Sequence, residues 1–403
     1  MNQRFLGKLL LAAYCTAMAA APPSVEEIDA AVAALSEKTG FVKKHPIRVE
    51  AIGRDGWKAW LDGQIRENVK PEEIRAEELT LKRFGLIPRD YDLRAATIEL
   101  LGEQAAAVYD HRKKRMLFVE GAPEGMRDLV LVHELAHALA DQSYDLTRFL
   151  EKGPKTDEAQ LARMAVVEGQ ATWLMYETQL NRMGMSLSGN SQALGMIAGA
   201  GSSLAAGMFP VFEKAPLYLR ETLLFPYTAG LLFQQAALDR LGKKAFSEVL
   251  TRPPATAREI LHPEIWLSGW KAEAAALPKL DRQGEYRALN AGSVGELDWR
   301  ILFEQYAGRE EALAIAPGWR GGTFELLEHK KDGRLVLRFA ATWADEETSK
   351  RFMRLYQKVM AGKWSRHEAR RASEEALTGE GDGGRYVITR KGRAVYGMEG
   401  MKP

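Results

Sequence analysis

Helical spacing of apolar residues dominates the chain up to about Asn290, and two-residue alternation becomes frequent after Ser293. "SVEEIDAAVAALSEKTG" opens on Ser24 with Glu27 three residues on, a pair that caps a helix start reciprocally, and it stops at Gly40. "HPIRVEAI" predicts a short strand, and residues 72–84 and 93–104 predict helices. Two apolar runs, 106–109 and 116–119, flank the polar turn Asp110-His111-Arg112-Lys113 and predict a hairpin. Most of 123–242 is expected to be helical: one helix around "LVLVHELAHALADQ", a long one over 157–183, and one over 229–241. The run 194–212, "LGMIAGAGSSLAAGMFPVF", is broken by glycines, serines and Pro210, and reads as a mobile flap or a buried helix, not a bilayer span. "TRPPATAREILHPE" reads as a loop entering a short helix.

Beyond Ser293, residues 295–314 predict a helix and "GTFELLEHKKDGRLVLRFAATW" a hairpin turning on Lys331-Asp332-Gly333. An amphipathic helix, "ADEETSKRFMRLYQKVMAG", and a second hairpin about Lys391-Gly392 follow. The expected fold class is α+β. A mainly helical domain with a small edge sheet covers 20–292, and a smaller, separate ββαββ domain of unassigned role covers 293–403.

Composition narrows the setting. With 46% hydrophobic, 9% aromatic and 27% charged residues, the 403-residue chain can bury a large core and is not a disordered protein. Its 56 basic and 54 acidic residues leave a net charge of +2, without the basic excess of a nucleic-acid binder. Arg4 and Lys8 precede an apolar run from Leu9, and Ala17-Met18-Ala19 fits the small-x-small cleavage rule. That pattern predicts a signal peptide over 1–19, a mature start near Ala20, export to the periplasm or beyond, and no stable membrane span after its removal. Tyr14 before Cys15 is too bulky for a lipoprotein signal, and Cys15 is the only cysteine. The exported chain would therefore contain neither disulfides nor thiolate metal ligands.

The chemistry concentrates in "VHELAHALADQ". Residues four apart share a helix face, so His133 and His137 can present imidazole nitrogens to one ion. Glu134 lies about 100° round the axis, placed to act on a water beside the metal without binding the metal itself. Zinc suits this set, because it takes neutral nitrogen ligands and keeps an open position for a water that a base can deprotonate. A catalytic zinc needs a third protein ligand. Ala140 and Ser143 stand where the metzincin extension needs Gly and His, which removes that class. Glu158, Glu168 and Glu177 are the remaining carboxylates on the following helix, and Glu168 in "MAVVEGQATW" is the best placed. Gly169 and Ala171 beside it would let its helix approach the motif helix closely. Asp141, one turn after His137, either orients a ligand imidazole or caps the helix end.

"VHELAHALADQ" followed by "VVEGQATW" resembles the gluzincin zinc metallopeptidases, and more narrowly an exported family pairing an HELxHxLxDQ helix with an EGxA helix. "LLFPYTAGLLF", "PPATAREILHPE" and "APGWRGG…LRFAATWADEE" resemble that family's later blocks. The resemblance implies a zincin-like fold, one Zn2+ held by His133, His137 and Glu168, Glu134 as general base, and a peptide or protein substrate. It also implies that the strand "RMLFVE" is an edge strand aligning that substrate. An oxyanion donor opposite the metal is needed as well, for which Tyr227 and His262 are the polar groups in otherwise apolar blocks. The expected activity is peptide-bond hydrolysis. The alternatives are a zinc-binding scaffold without catalysis and a non-peptidase zinc hydrolase. The histidines at 45, 111, 329 and 367 sit in charged or turn contexts and are expected to be solvated. Substrate preference and oligomeric state are not legible.

Overall fold

The computed structural model describes residues 12–14, 23–120, 124–151 and 156–402. Helix α1 (Val25–Thr39) forms where its cap pair predicts. Glu27 N–H donates to Ser24 Oγ, Ser24 N–H donates to the Glu27 carboxylate, and Gly40 ends the helix at φ 79°.

A four-stranded sheet comprises β1 (Ala12–Tyr14), β2 (Arg48–Ile52), β3 (Ala105–Asp110) and β4 (Arg115–Val119), in the order β1-β3-β4-β2. The expected hairpin is β3–β4, antiparallel, with Asp110 Oδ1 accepting the Arg112 and Lys113 N–H groups in its turn. Because β2 pairs with β4 in parallel, β4 is an inner strand, and the edge-strand role expected of "RMLFVE" does not fall to it. The leader read over 1–19 lies outside the described residues apart from Ala12–Tyr14, whose backbone pairs with β3.

Helices α2 (Arg54–Asn68), α3 (Pro71–Phe84) and α4 (Leu93–Gln104) fill the chain between β2 and β3. After β4 come α5 (Glu124–Tyr144), α6 (Leu146–Glu151), α7 (Asp157–Arg182), α8 (Ser191–Met208), α9 (Pro210–Lys214) and α10 (Leu217–Leu241). Then α11 (Ala245–Thr251), α12 (Ala257–Leu261) and α13 (Pro263–Ser268) complete the helical part. Helix α5 lies between β3 and α7, and α7 packs in turn on α10. The last of these begins well before the expected 229 and runs through Pro226. Burial of Leu219, Leu223 and Phe225 outweighs the backbone hydrogen bond that proline gives up. The described side chains of α8 are exposed or half-buried, so it is a surface helix there and not a core one. No described helix is long and apolar enough to cross a membrane.

The C-terminal part holds β5 (Tyr286–Ser293), α14 (Glu296–Ala307), α15 (Arg309–Ile315), β6 (Trp319–His329), β7 (Leu335–Trp343), α16 (Glu346–Lys363), β8 (His367–Ala372), β9 (Ala376–Gly381), β10 (Gly384–Lys391) and β11 (Ala394–Met401). Its seven strands run β5-β6-β7-β11-β10-β9-β8, each antiparallel to its neighbours. The expected ββαββ unit is thus too small, since β5, β8 and β9 also belong to the sheet. None of the three carries a clean apolar alternation. A register shift interrupts β5, β8 is a charged and largely exposed edge, and β9 has two glycines.

This sheet is not packed apart from the helices. Phe84, the last residue of α3, is fully buried with ring centroids 6.3, 5.7 and 6.1 Å from those of Trp299, Phe324 and Phe339. Arg83 beside it donates to the Leu335 and Gly383 carbonyls. Gly85, at φ 87°, presents its carbonyl to the Tyr306 hydroxyl and the Gln305 amide. The end of α3 is a structural part of the C-terminal core.

Candidate metal centre

Local geometry places the first two groups. His133 and His137 are four residues apart on α5, whose apolar positions Val130, Leu131, Leu135 and Leu139 are buried. Their Nε2 atoms are 3.0 Å apart. Tertiary packing supplies the third. Glu168 Oε2, from α7, lies 3.1 Å from His133 Nε2 and 3.4 Å from His137 Nε2. His133, His137 and Glu168 are all buried, and among the described residues they are the group able to hold a metal ion.

Donor atoms on a tetrahedral zinc with bonds of ~2.0–2.1 Å stand about 3.3 Å apart, so these three edges trace one face of such a tetrahedron. Glu168 Oε1 and His133 Nδ1 find no protein partner although both are buried. Burial by itself would raise the Glu168 carboxyl, but the His137 and His133 rings against it outweigh that and hold it below its ordinary value. An ionised carboxylate and two imidazoles converging in a buried site fit a divalent cation.

Glu134 points to the sheet. The Tyr109 N–H on β3 donates to Glu134 Oε2 at 2.6 Å. The strand addressing this carboxylate is therefore β3 and not β4. Tyr109 also spans to Asp141, its hydroxyl donating to Oδ2 at 2.7 Å. Lys114, from the hairpin turn, and the Leu146 N–H complete the donors to Asp141. Asp141 thus ties the hairpin and the start of α6 to the end of α5. Among the described hydrogen bonds none joins it to a ligand imidazole.

Tyr227 on α10 lies over His133, ring centroids 6.2 Å apart and planes inclined by 25°. His262 is not brought into this cluster. Its Nε2 is 2.8 Å from Glu296 Oε1 on α14, and Arg258 donates to the other oxygen of that carboxylate. Glu158, in the first turn of α7, is buried and accepts the Ala257 N–H. Desolvation, reinforced by Asp298, pushes its carboxyl up to about 8. Glu177 is committed to Ser186, the Leu187 N–H and Lys38.

Gly169 does permit a close helix approach, but to α10 and not to α5. A Cβ there would stand 2.2 Å from the Gly230 carbonyl carbon. Two histidines expected in solvent are buried. His111 pairs with Thr147, and desolvation, helped by Arg112 and Lys114, pushes it down to about 3. His329 pairs with Asp332 in its hairpin. His45 is exposed, and His367 is half-buried against Tyr386. Tyr109 and Lys114 were missed as site residues. The only signal was the position of their hairpin directly before the motif helix.

A family described as a domain of unknown function (DUF8575) matches residues 284–403, which takes in the whole seven-stranded sheet. No curated protein and no solved structure matches the chain.

Proposed function

We propose that the protein is an exported zinc-dependent metallopeptidase with a zincin-like catalytic half. The observation that carries this reading is the set of 3.0, 3.1 and 3.4 Å separations among His133 Nε2, His137 Nε2 and Glu168 Oε2, with Glu134 on the same helix. Zinc held there would supply Lewis acidity both to the scissile carbonyl and to the attacking water. Glu134 takes the proton from that water and returns it to the leaving amine nitrogen, the general acid–base role its position allows. The Tyr109 N–H fixes the orientation of the Glu134 carboxylate. Tyr227, whose ring adjoins His133, is assigned as oxyanion donor. His262, held on Glu296, takes no step.

Purified full-length protein is expected to hold about one zinc per chain and to cleave members of a peptide library. Glu134→Gln should keep the zinc and lose the cleavage. Zinc binding without peptide cleavage by the wild type would leave a scaffold or a non-peptidase zinc hydrolase, and absence of zinc would end all three readings.

A further inference from the structure

Past the metal cluster, the two helices that flank it carry two buried polar side chains with no protein partner. Thr172 is four residues beyond Glu168 on α7 and so shares its face. It is 5% exposed, and its hydroxyl makes no hydrogen bond. Other buried helical threonines behave differently: Thr39, Thr80, Thr97 and Thr222 each donate to the carbonyl four residues back. The Thr172 hydroxyl is therefore not spent on its own helix. Gln234 is seven residues, two turns, beyond Tyr227 on α10. It is 1% exposed, and neither Oε1 nor Nε2 has a partner.

The two residues stand at one level. Helices α7 and α10 run side by side in the same direction, since Gly169 meets Gly230 and, further along both, Trp173 Nε1 donates to Gln235 Oε1. Thr172 and Gln234 each precede one member of that hydrogen-bonded pair. They lie on the faces that bring Glu168 and Tyr227 to His133. Polar side chains buried in a helix contact without a protein partner oppose folding, so their position beside a metal cluster points to a ligand that pairs with them.

We propose that Thr172 and Gln234 form a neutral recognition subsite beside the metal cluster, which receives an amide group of the substrate. Gln234 offers one acceptor and one donor group, the complement of a carboxamide or peptide unit, and Thr172 adds a hydroxyl able to do either. The pair brings no charge, so a carboxylate or ammonium placed there would be buried uncompensated. This subsite rests on the peptidase reading, and it positions the substrate beside the cleaved bond.

The test is a cleavage profile of full-length wild type, Gln234→Leu and Thr172→Val on one peptide library, with zinc content and Tm measured for each. If the subsite takes a side-chain amide, wild type favours Asn or Gln at one position beside the scissile bond, and Gln234→Leu lowers kcat/KM for those peptides about tenfold or more while sparing the others. If it takes a main-chain amide, the loss is uniform over peptides. In both cases zinc content is unchanged and Tm rises, because an unpaired buried amide has been removed. A lower Tm for Gln234→Leu, or kcat/KM unchanged in both variants, overturns the subsite and makes the pair structural. Should wild type bind zinc but cleave nothing, the peptidase reading fails by itself. The subsite is then judged by thermal shift with N-acetyl-asparagine amide, stabilising wild type if it is right and giving equal shifts with Gln234→Leu if it is wrong.

Discussion

Gly169 of α7 and Gly230 of α10 meet backbone to backbone. A Cβ on Gly169 would stand 2.2 Å from the Gly230 carbonyl carbon, and one on Gly230 would stand 2.2 Å from the Ala165 carbonyl oxygen. Neither obstacle is a flexible side chain, so the helices themselves must separate. Gly169→Ala is expected to cost ~1–3 kcal/mol in urea unfolding. Since Glu168 is the adjacent residue, the same change should weaken zinc binding about tenfold in competition with a chelator. Gly63→Ala, inside α2 with nothing near its Cβ position, serves as control: it should leave zinc binding unchanged and raise stability by ~0.5–1 kcal/mol, because alanine favours the helix.

Removing the metal should also be visible in stability. A ligand that binds only the folded chain at about a hundredfold excess over its Kd contributes ~2.7 kcal/mol. A chelator is therefore expected to lower the wild-type Tm by several degrees and to leave His137→Ala unmoved. Equal shifts in both proteins would show that the ion sits elsewhere.

Phe84 fills the space among Trp299, Phe324 and Phe339 from an element more than two hundred residues away in sequence. Phe84→Ala should cost ~3–5 kcal/mol, the usual loss for a fully buried phenylalanine. Hydrogen exchange of the β6 and β7 amides, which reports the sheet half alone, should register that loss, although the substitution lies in the helical half. Protection of those amides left at the wild-type level would mean that the two halves unfold independently.

Glu158 makes stability depend on pH. Its carboxyl titrates at about 8 when folded, against 4.5 when unperturbed, because it is desolvated and faces Asp298. The unfolded chain thus releases this proton at lower pH than the folded one. The stability tied to it is complete below 4.5 and is lost as pH rises to about 8. His111, shifted from 6.5 down to about 3, adds stability as pH rises to 6.5 and opposes this loss below that point. Between 6.5 and about 8 the urea midpoint of wild type should therefore fall, and Glu158→Gln, which cannot ionise, should flatten the decline. An unchanged slope in the variant would assign the dependence to other groups.

What the sequence determined by itself was local. The four-residue spacing put His133 and His137 on one face of α5. Ser24 with Glu27 marked a helix start, and Asp110 to Lys113 marked a hairpin. Each involves residues a few positions apart, whose relation is set by backbone geometry before anything packs. Glu168 was readable as an inward acid after an apolar run, but that its Oε2 reaches both imidazoles was decided by tertiary structure. The same holds for the Tyr109 N–H on Glu134, for Gly169 facing α10, for His111 in the interior, and for Phe84 in the sheet core. These relations depend on which faces of distant elements meet, and helix faces and strand edges can meet in many ways that one chain's apolar pattern satisfies equally. Packing chose among them, because only one arrangement buries those faces together without leaving most of their polar groups unpaired.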